Sequence, residues 1–551
     1  MNHQRYRPFP KVPIRDRQWP SQEITKAPIW CSVDLRDGNQ ALEIPMNLSQ
    51  KLRFFECLVK MGFKTIEIGF PAASDTEFAF CRYLIDNQLI PDDVAIQVLT
   101  QSREHIIKKT IEALRGAPKA VVHLYNSTST LQRDVVFGFG KKECIDLAVF
   151  GAKLIRKEIE SDTSRTEWFL EYSPESFTGT ESDFAVEICD AVLDVWQPTE
   201  LKKAIINLPA TVEMASANVY ADQIEYHCKN TRWRKEVIIS IHPHNDRGSA
   251  VAAAELGILA GADRVEGTLF GNGERTGNVD ILTLGMNLFM HGIDPMLDFS
   301  DINHLINVYE SCTDLKVPLR HPWAGKLVFT AFSGSHQDAI KKGMVKLKER
   351  PTYWEVPYLP IDPQDVGRSY DPIIRINSQS GKGGVAFILE MNFGVVLPQS
   401  FQRDFGLVCT KLSDEKQTEL LPSEIFKLFD DCYINVDSSF KLLTYKEESL
   451  GENAAVVTAR IKTATGEKDV SGKGNGLLDA FCHGLNQILS KKISIKKYSQ
   501  HAMESGSDSA AITYIEIEID SGEIALGAGI SHSVTKSSLR AVLSAVNRLK
   551  G

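Results

Sequence analysis

Short β-rich apolar runs alternate with amphipathic helical stretches from residue 28 to about residue 290, and this period constrains the fold more than any single motif. The expected strands are Ile29–Val33, Thr65–Ile68, Val94–Leu99, Ala120–Leu124, Trp168–Tyr172, Ala204–Leu208, Val237–Ile241 and Arg264–Leu269. Helix-like stretches fall between them, among them Leu48–Met61, Glu104–Leu114, Lys141–Glu160, Asp183–Trp196 and Ser249–Leu259. Eight strand–helix units in roughly 260 residues match the size of a (β/α)₈ barrel. A doubly wound sheet would carry a glycine-rich fingerprint after its first strand. Here the first strand runs into Asp34-Leu35-Arg36-Asp37-Gly38-Asn39-Gln40, which is charged instead. The spacing predicts an α/β protein built on a TIM barrel.

Catalytic groups of such barrels sit at the C-terminal ends of the strands. Strand one ends in Asp34, Arg36 and Asp37, and strand two carries Glu67 before Gly69-Phe70-Pro71. His123 interrupts strand four, strand five runs into Ser173-Pro174-Glu175, and strand six reaches Pro209-Ala210-Thr211-Val212-Glu213. Strand seven gives His242-Pro243-His244-Asn245-Asp246, and strand eight contains Glu266. Polar groups from most of the strands converge on one rim, which predicts an active site there.

Residues two apart on a strand project to the same side, so His242 and His244 can share a divalent metal, with Asn245 and Asp246 as orienters. Two histidines capping a polar turn are the alternative. Asp37 can supply an oxygen ligand to the same ion, and a two-His, one-carboxylate set leaves positions for a bidentate substrate such as a 2-oxo acid. Arg36 would pair with a substrate carboxylate or a developing alkoxide, or else form an ion pair at the rim. Gly271-Asn272-Gly273-Glu274-Arg275 follows strand eight, where phosphate sites often lie, although a plain turn has the same composition. Ser380-Gly381-Lys382-Gly383-Gly384 lacks the P-loop frame and reads as a turn, while Gly472-Lys473-Gly474-Asn475-Gly476 could cradle a small ligand at a helix start.

Beyond residue 320 the barrel period stops. The segment 321–430 mixes a helical run, Gln337–Glu349, with proline-rich turns at Trp354–Pro363, which predicts small linker subdomains. From 431 to 551, Val456–Lys462, Thr513–Asp520 and Glu523–Leu526 read as strands, and Gly476–Leu489 and Thr535–Leu549 as helices, giving a separate α+β module. Residues 1–27 precede the barrel domain, 28–320, as an extension without the apolar core of a secretory signal. A net charge of −9 gives no general attraction to nucleic acid or anionic membrane, and no apolar run approaches the ~20 residues needed to cross a bilayer. Ten cysteines are scattered without CxxC spacing, as expected for reduced residues of a cytoplasmic protein.

The chain resembles the 2-isopropylmalate synthase family, in its longer form. The resemblance is carried by Leu35-Arg36-Asp37-Gly38-Asn39-Gln40, Leu208-Pro209-Ala210-Thr211-Val212-Glu213, His242-Pro243-His244-Asn245-Asp246 and Gly271-Asn272-Gly273-Glu274-Arg275, and it extends through Trp354–Gly384 and the C-terminal module. It implies a Claisen-type condensation of acetyl-CoA with 3-methyl-2-oxobutanoate, giving 2-isopropylmalate and CoA on the route to leucine. It implies Asp37, His242 and His244 as ligands of a divalent metal (Mg²⁺, Mn²⁺ or Zn²⁺), with Asn278 beside them. It assigns Arg36 to the alkoxide, Thr211 to the substrate carboxylate, and Leu99, His123, Ser173 and Pro209 to the pocket wall, with Glu67 counted among the substrate-binding residues. Gly271, Gly273 and Arg275 match a CoA-binding turn. Glu175 is similar to a glutamate near the acetyl group. His336 and Tyr370 match linker residues that reach the partner's active site in a homodimer, so proton transfer is expected from His336 helped by Tyr370 and Glu175; a helix-capping role for His336 is the alternative. The C-terminal module resembles a domain that binds L-leucine as a feedback inhibitor, with Gly474, Asn475, Gly476, Gly527, Ala528, Gly529 and Ile530 as candidate contacts. A purely structural dimerisation module is its alternative.

Three other readings share these features. Homocitrate or citramalate formation is the nearest, but homocitrate requires a base for the distal carboxylate, whereas Leu99 and Pro209 favour an apolar branched substrate. A metal-dependent acyl-CoA lyase or aldolase shares the metal chemistry but generally lacks a leucine-binding module. An amino-acid sensor on a dead barrel is disfavoured, because every metal and substrate position is filled.

Overall fold

A computed structural model of the chain describes residues 9–331, 334–349, 353–369, 382–416, 420–451, 454–503, 506 and 508–549. The chain divides into two compact units: Met1–Val328 with Ile361–Ser369, and Phe329–Pro360 with Tyr370–Gly551.

The first unit is a closed barrel of eight strands in sequence order. They are β1 (Ile29–Ser32), β2 (Thr65–Gly69), β3 (Ala95–Gln101), β4 (Lys119–Ser127), β5 (Glu167–Glu175), β6 (Ala204–Ala210), β7 (Val237–Pro243) and β8 (Arg264–Gly267). All neighbours are parallel, and β8 closes on β1 through Ile29↔Arg264 to Ser32↔Gly267. The helices between and after them are α1 (Leu48–Met61), α2 (Asp75–Asp86), α3 (Glu104–Leu114), α4 (Lys141–Glu160), α5 (Ser182–Trp196), α6 (Ala217–Asn230), α7 (Ala250–Leu259) and α8 (Ile281–Met290), followed by α9 (Ile302–Thr313). Local chemistry sets their ends. Asn47 and Gln50 form a reciprocal capping box at the start of α1, and Gly62, at φ +106°, ends it in the left-handed conformation.

The barrel interior is layered, because every second strand residue points inward. The floor is apolar, with Ala95, Val121, Phe169, Ile205 and Ile238 in one cluster. Two residues further along each strand stand Gln97, His123, Glu171, Asn207 and Ser240, all buried, joined by Arg264 and Glu266 from β8 and Glu67 from β2. Arg264 holds this layer together. Its Nη1 lies 2.8 Å from Glu266 and 3.1 Å from Glu171 and donates to Ser240 Oγ at 2.9 Å, and its Nη2 donates to Gln97 Oε1 at 2.7 Å. Two residues higher again stand Leu99, Tyr125, Ser173, Pro209 and His242, at the catalytic rim.

In the second unit, α10 (Gly334–Glu349), α11 (Lys382–Phe393), α12 (Gln399–Lys416) and α13 (Pro422–Tyr433) precede two sheets. The glycine run read as a turn at 380–384 is helical from Lys382 onward. Phe401, Phe405, Phe429 and Tyr433 pack α12 and α13 into one core with Ile512 and Tyr514. Each sheet is antiparallel with three strands: β9 (Lys441–Ser449), β10 (Ala455–Thr463) and β11 (Gly466–Gly474) in the first, and β12 (Ile493–Ala502), β13 (Ala511–Ile519) and β14 (Ile524–Ser531) in the second. The helices α14 (Leu477–Leu485) and α15 (Val534–Asn547) pack on them around a shared apolar core.

The sequence pattern found the central strands β10 and β13 and the start of β14 but missed the edge strands β9, β11 and β12. The edges are solvated along most of their length and carry charge or glycine in place of apolar alternation. Of the candidate leucine contacts, Gly474 ends β11 and Gly527–Ile530 lie inside β14, so these stand on strands. The glycines have a packing reason. A Cβ on Gly472 or Gly474 would overlap the α14 backbone at Ala480, and one on Gly527 or Gly529 would overlap the α15 backbone at Ala541. No helix among the described residues is long and apolar enough to cross a membrane.

Two stability predictions follow from this packing. Arg264→Leu leaves Glu171 and Glu266 buried without their cation and is expected to cost about 3–5 kcal/mol. Glu171→Gln should cost far less, because burial pushes that carboxyl well above the ordinary range, so it is already neutral. Thermal unfolding of both variants checks this; similar losses would refute it. In the second unit, Gly527→Ala is expected to destabilise by about 1–3 kcal/mol or more through overlap with α15. Gly476→Ala should be tolerated, since nothing lies within 4 Å of the added carbon. Urea titration of the two variants separates these outcomes.

Candidate active site

The β7 segment Ile241-His242-Pro243 turns its imidazole inward at the barrel rim, and His244 follows on the same side, anchored by its backbone N–H to Ala210 O at 3.2 Å. The two rings stack with centroids 5.3 Å apart. Asp37 sits in the wide, π-helical turn Asp34–Gly38 directly after β1. Its Oδ2 lies 3.6 Å from His242 Nε2 and 3.8 Å from His244 Nε2. Each of the three buried side chains offers a ligand atom within 4.8 Å of the others.

The donor set fits a divalent cation. His242 Nδ1 is 2.9 Å from Glu266 Oε2, a carboxylate that orients the ring and leaves Nε2 for the site. That Nε2 faces two oxygens, Asp37 Oδ2 and Asn278 Oδ1, the latter at 3.0 Å. Only a positive charge between such groups is stable, whether a proton or a metal ion. Burial opposes a charged imidazole at His242, but Asp37 and Glu266 outweigh it and raise its pKa to about 10. Burial, reinforced by the charge on His242, lowers His244 to about 4. His244 Nδ1 is buried and has no hydrogen-bond partner among the described residues. Burial works against ionisation of Asp37, but Arg36 and the two histidines overcome it and hold the carboxyl well below its usual range.

A second trio, His123, Glu171 and Glu266, also has ligand-like spacing. Arg264 stands among its carboxylates and supplies their positive charge, so it reads as barrel core. Around the site, Asp37, Glu67 and Glu266 are held ionised while Arg36 and Arg264 are cations, and the third positive charge is a proton on His242 or an ion in its place.

These groups border a cavity of about 270 Å³. Arg36, Asp37, His242 and His244 line one side; Leu99, His123, Ser173, Glu175, Pro209, Thr211 and Arg275 line the rest. The sequence placed all of these at strand ends or in the loop after β8. It did not single out Gln40, Phe70, Tyr125, Asn207 and Glu274, which line the same cavity. Tyr125 and Asn207 stand two residues from His123 and Pro209, so reading every second residue inward from the strand ends would have found them.

Arg36 is both rim ion pair and cavity wall. Its Nε donates to Glu67 at 2.6 Å and its Nη1 to Asp37, while its Nη2 has no partner among the described residues. Glu67 is corrected from substrate contact to support: it is fully buried, lies outside the cavity lining, and holds Arg36 and His123 Nδ1, the latter at 2.7 Å. His123 Nε2 in turn contacts Ser173 Oγ at 2.7 Å. Asn278 also lies beneath the lining, donating to Asp37 Oδ2 at 2.8 Å. Gly271 and Gly273 do not line the cavity. Gly271 adopts φ +72°, and a Cβ on Gly273 would press on Asn278. Their lack of a side chain therefore has an internal cause.

His336 belongs to the second unit, on α10, stacked on Tyr358 at 4.0 Å. Tyr370 lies outside the described residues.

Three family descriptions match successive parts of the chain: HMGL-like over residues 27–308, alpha-isopropylmalate synthase post-catalytic domain-like over 326–390, and LeuA allosteric (dimerisation) domain over 419–550. The 2-isopropylmalate synthase of Acetoanaerobium sticklandii is 60% identical over 551 residues, covering 100% of this chain and 97% of that protein. The 2-isopropylmalate synthase of Clostridium acetobutylicum is 53% identical over 557 residues, covering 100% of both. Among solved structures, a hydroxymethylglutaryl-CoA lyase from Pseudomonas aeruginosa matches 51% of this chain and 91% of its own at 17% identity, with a TM-score of 0.41. With whole-length identity at this level and all three domain types in order, the chain belongs to the 2-isopropylmalate synthase family, and it is an enzyme of the transferase type serving leucine biosynthesis.

Proposed function

We propose that this enzyme condenses acetyl-CoA with 3-methyl-2-oxobutanoate, consuming water and releasing CoA and (2S)-2-isopropylmalate. The observation that carries the reading is the cavity itself, which Leu99, Pro209 and Phe70 line together with Asp37, His242, His244 and Arg36. A divalent ion bound by Asp37, His242 and His244 would supply Lewis acidity to the keto carbonyl. Arg36 is oriented by two carboxylates and keeps Nη2 for the oxygen on which charge develops as the new C–C bond forms. Thr211 is placed for the substrate carboxylate, its Oγ1 fixed by the Ser176 N–H at 2.9 Å. Glu175, which accepts from Ser127 Oγ, stands at the rim where the acetyl group would enter. We assign removal of the methyl proton to His336, assisted by Tyr370 and Glu175, with the first two supplied by the partner of a homodimer.

The rival homocitrate reaction would need a cation free to meet a second carboxylate. The arginines lining this cavity, Arg36 and Arg275, are both already paired with carboxylates. The C-terminal module supports regulation by L-leucine. Of its candidate contacts, the exposed Asn475 and the open Gly476 have room beside them, whereas Gly474, Gly527 and Gly529 press on helices and Ala528 is buried.

The test is release of free CoA from acetyl-CoA with 3-methyl-2-oxobutanoate, 2-oxoglutarate or pyruvate, with and without leucine. The branched substrate should lead by at least about tenfold in kcat/KM, and leucine should lower the rate. Equal or better turnover of 2-oxoglutarate would sink the assignment. His242→Ala should remove Mn²⁺ binding, measured by equilibrium dialysis, and lower turnover by at least about 100-fold. Retained turnover would remove the metal from the reaction.

A further inference from the structure

Arg275 occupies an unusual position for a phosphate ligand. It sits in the loop after β8 with φ +58°, a backbone state that non-glycine residues keep only where their surroundings enforce it. Its Nε donates to Asp246 Oδ1 at 2.6 Å, and its Nη2 donates to Asp246 Oδ2 at 3.2 Å and to the Thr211 carbonyl at 2.6 Å. Its Nη1 lies 4.0 Å from Glu274. Two of the three nitrogens are therefore taken up by hydrogen bonds, and two carboxylates near one guanidinium leave this spot with a net negative charge. That is a poor seat for a phosphate.

The partners of Arg275 belong to the reacting half of the site. Thr211 lines the cavity, and Asp246 lies two residues beyond His244. Asp246 Oδ2 also accepts the Glu213 N–H at 2.9 Å, and the Glu213 carboxylate returns to the Arg247 N–H and the Ser249 hydroxyl. Asn245 N–H reaches Gly277 O at 2.9 Å, and His244 bridges to Asn278. The loops after β6, β7 and β8 are thus tied into one frame, with the Arg275–Asp246 pair touching all three.

We propose that Arg275 is a positioning residue for the keto-acid and metal half of the site, bracing Thr211 and the His244 loop, and not a contact for the phosphates of CoA. The proposal rests on the reading that the oxo acid binds between Thr211 and the Asp37–His242–His244 set. A bidentate fork is required, because one guanidinium has to satisfy a carboxylate and a carbonyl in fixed geometry.

Three variants test it: Arg275→Gln, Arg275→Lys and Asp246→Asn. Each is measured for KM of both substrates and for Mn²⁺ affinity by equilibrium dialysis. Arg275→Gln should raise KM for the oxo acid and the Mn²⁺ dissociation constant by about tenfold each, with KM for acetyl-CoA within about twofold of the parent. Arg275→Lys should fall between the two, since an ammonium cannot form the fork. Asp246→Asn should reproduce the Arg275→Gln pattern, and the double variant should be no worse than either single, as for residues acting as one unit. Asp246→Asn keeps its shape and carries the test if Arg275→Gln does not fold. A rise in the acetyl-CoA KM with an unchanged oxo-acid KM would overturn the proposal in favour of phosphate binding. Unchanged Mn²⁺ affinity and oxo-acid KM in both variants would overturn it as well. If the parent enzyme released no CoA from the proposed substrate pair, the reaction would fall instead, and unchanged Mn²⁺ affinity alone would then refute the brace.

Discussion

The buried guanidinium of Arg264 is the interaction on which the rest of the barrel depends. It lies between Glu171 and Glu266 at the centre of the strands, with a further bond to Gln97 across the lumen. Two ionised carboxylates so close together would not both stay charged beside a single cation. The layer resolves this by dividing them: burial drives Glu171 to its neutral form, and Glu266 is held ionised by Arg264 and His242. The ionised one is the carboxylate that orients His242. The group that stabilises the barrel thereby also fixes the orientation of the His242 imidazole at the candidate metal site. A hydrophobic core of the same volume could close the barrel as well, but it would leave His242 without an orienter.

What was legible in the sequence follows from how strongly each element's burial is written into its pattern. The barrel strands are buried on both faces, so they read as continuous β-branched runs, and all eight were located within a few residues. Charged residues at their ends stood out because several fall close together there, as in Asp34-Leu35-Arg36-Asp37 and His242-Pro243-His244-Asn245-Asp246. The inward residues one layer down, such as Gln97 and Glu171, and the rim residue Tyr125, were less visible. They sit within the strand runs and look like interruptions until the two-residue period is followed along all strands together. Glu67 was visible, but its role was not, since position on a strand does not say whether a carboxylate faces ligand or arginine.

The C-terminal module shows the opposite limit. Its edge strands β9, β11 and β12 are half solvated, and lysines and glutamates occupy positions where a buried strand would be apolar. Its glycines pointed towards ligand turns, yet Gly472, Gly474, Gly527 and Gly529 are spaced by two on strands facing a helix, where any Cβ would strike the helix backbone. The same glycine-x-glycine spacing on β11 and β14 places α14 and α15 at close range on their sheets. Spacing by two is a strand signature, and there it carries information about close packing.

Arginines at three positions in the barrel unit show how one residue type is given different work by its surroundings. Arg264 is enclosed, with Nη1 and Nη2 both bonded inside the core. Arg275 is a third exposed, but its fork is closed on Asp246 and the Thr211 carbonyl. Arg36 is oriented just as firmly, by Glu67 and Asp37, yet its geometry leaves Nη2 without a partner at the cavity wall. Each is flanked by two acidic side chains, so the number of acidic neighbours does not distinguish them. The setting of the free nitrogen does: among the described residues, Arg264 Nε is sealed in the core without a partner, whereas Arg36 is held by two short bonds at the cavity wall with Nη2 unoccupied. A guanidinium enclosed in the core stabilises what is already there, whereas one held by two carboxylates at a cavity wall with a donor to spare is preorganised for an oxygen that arrives only with the substrate.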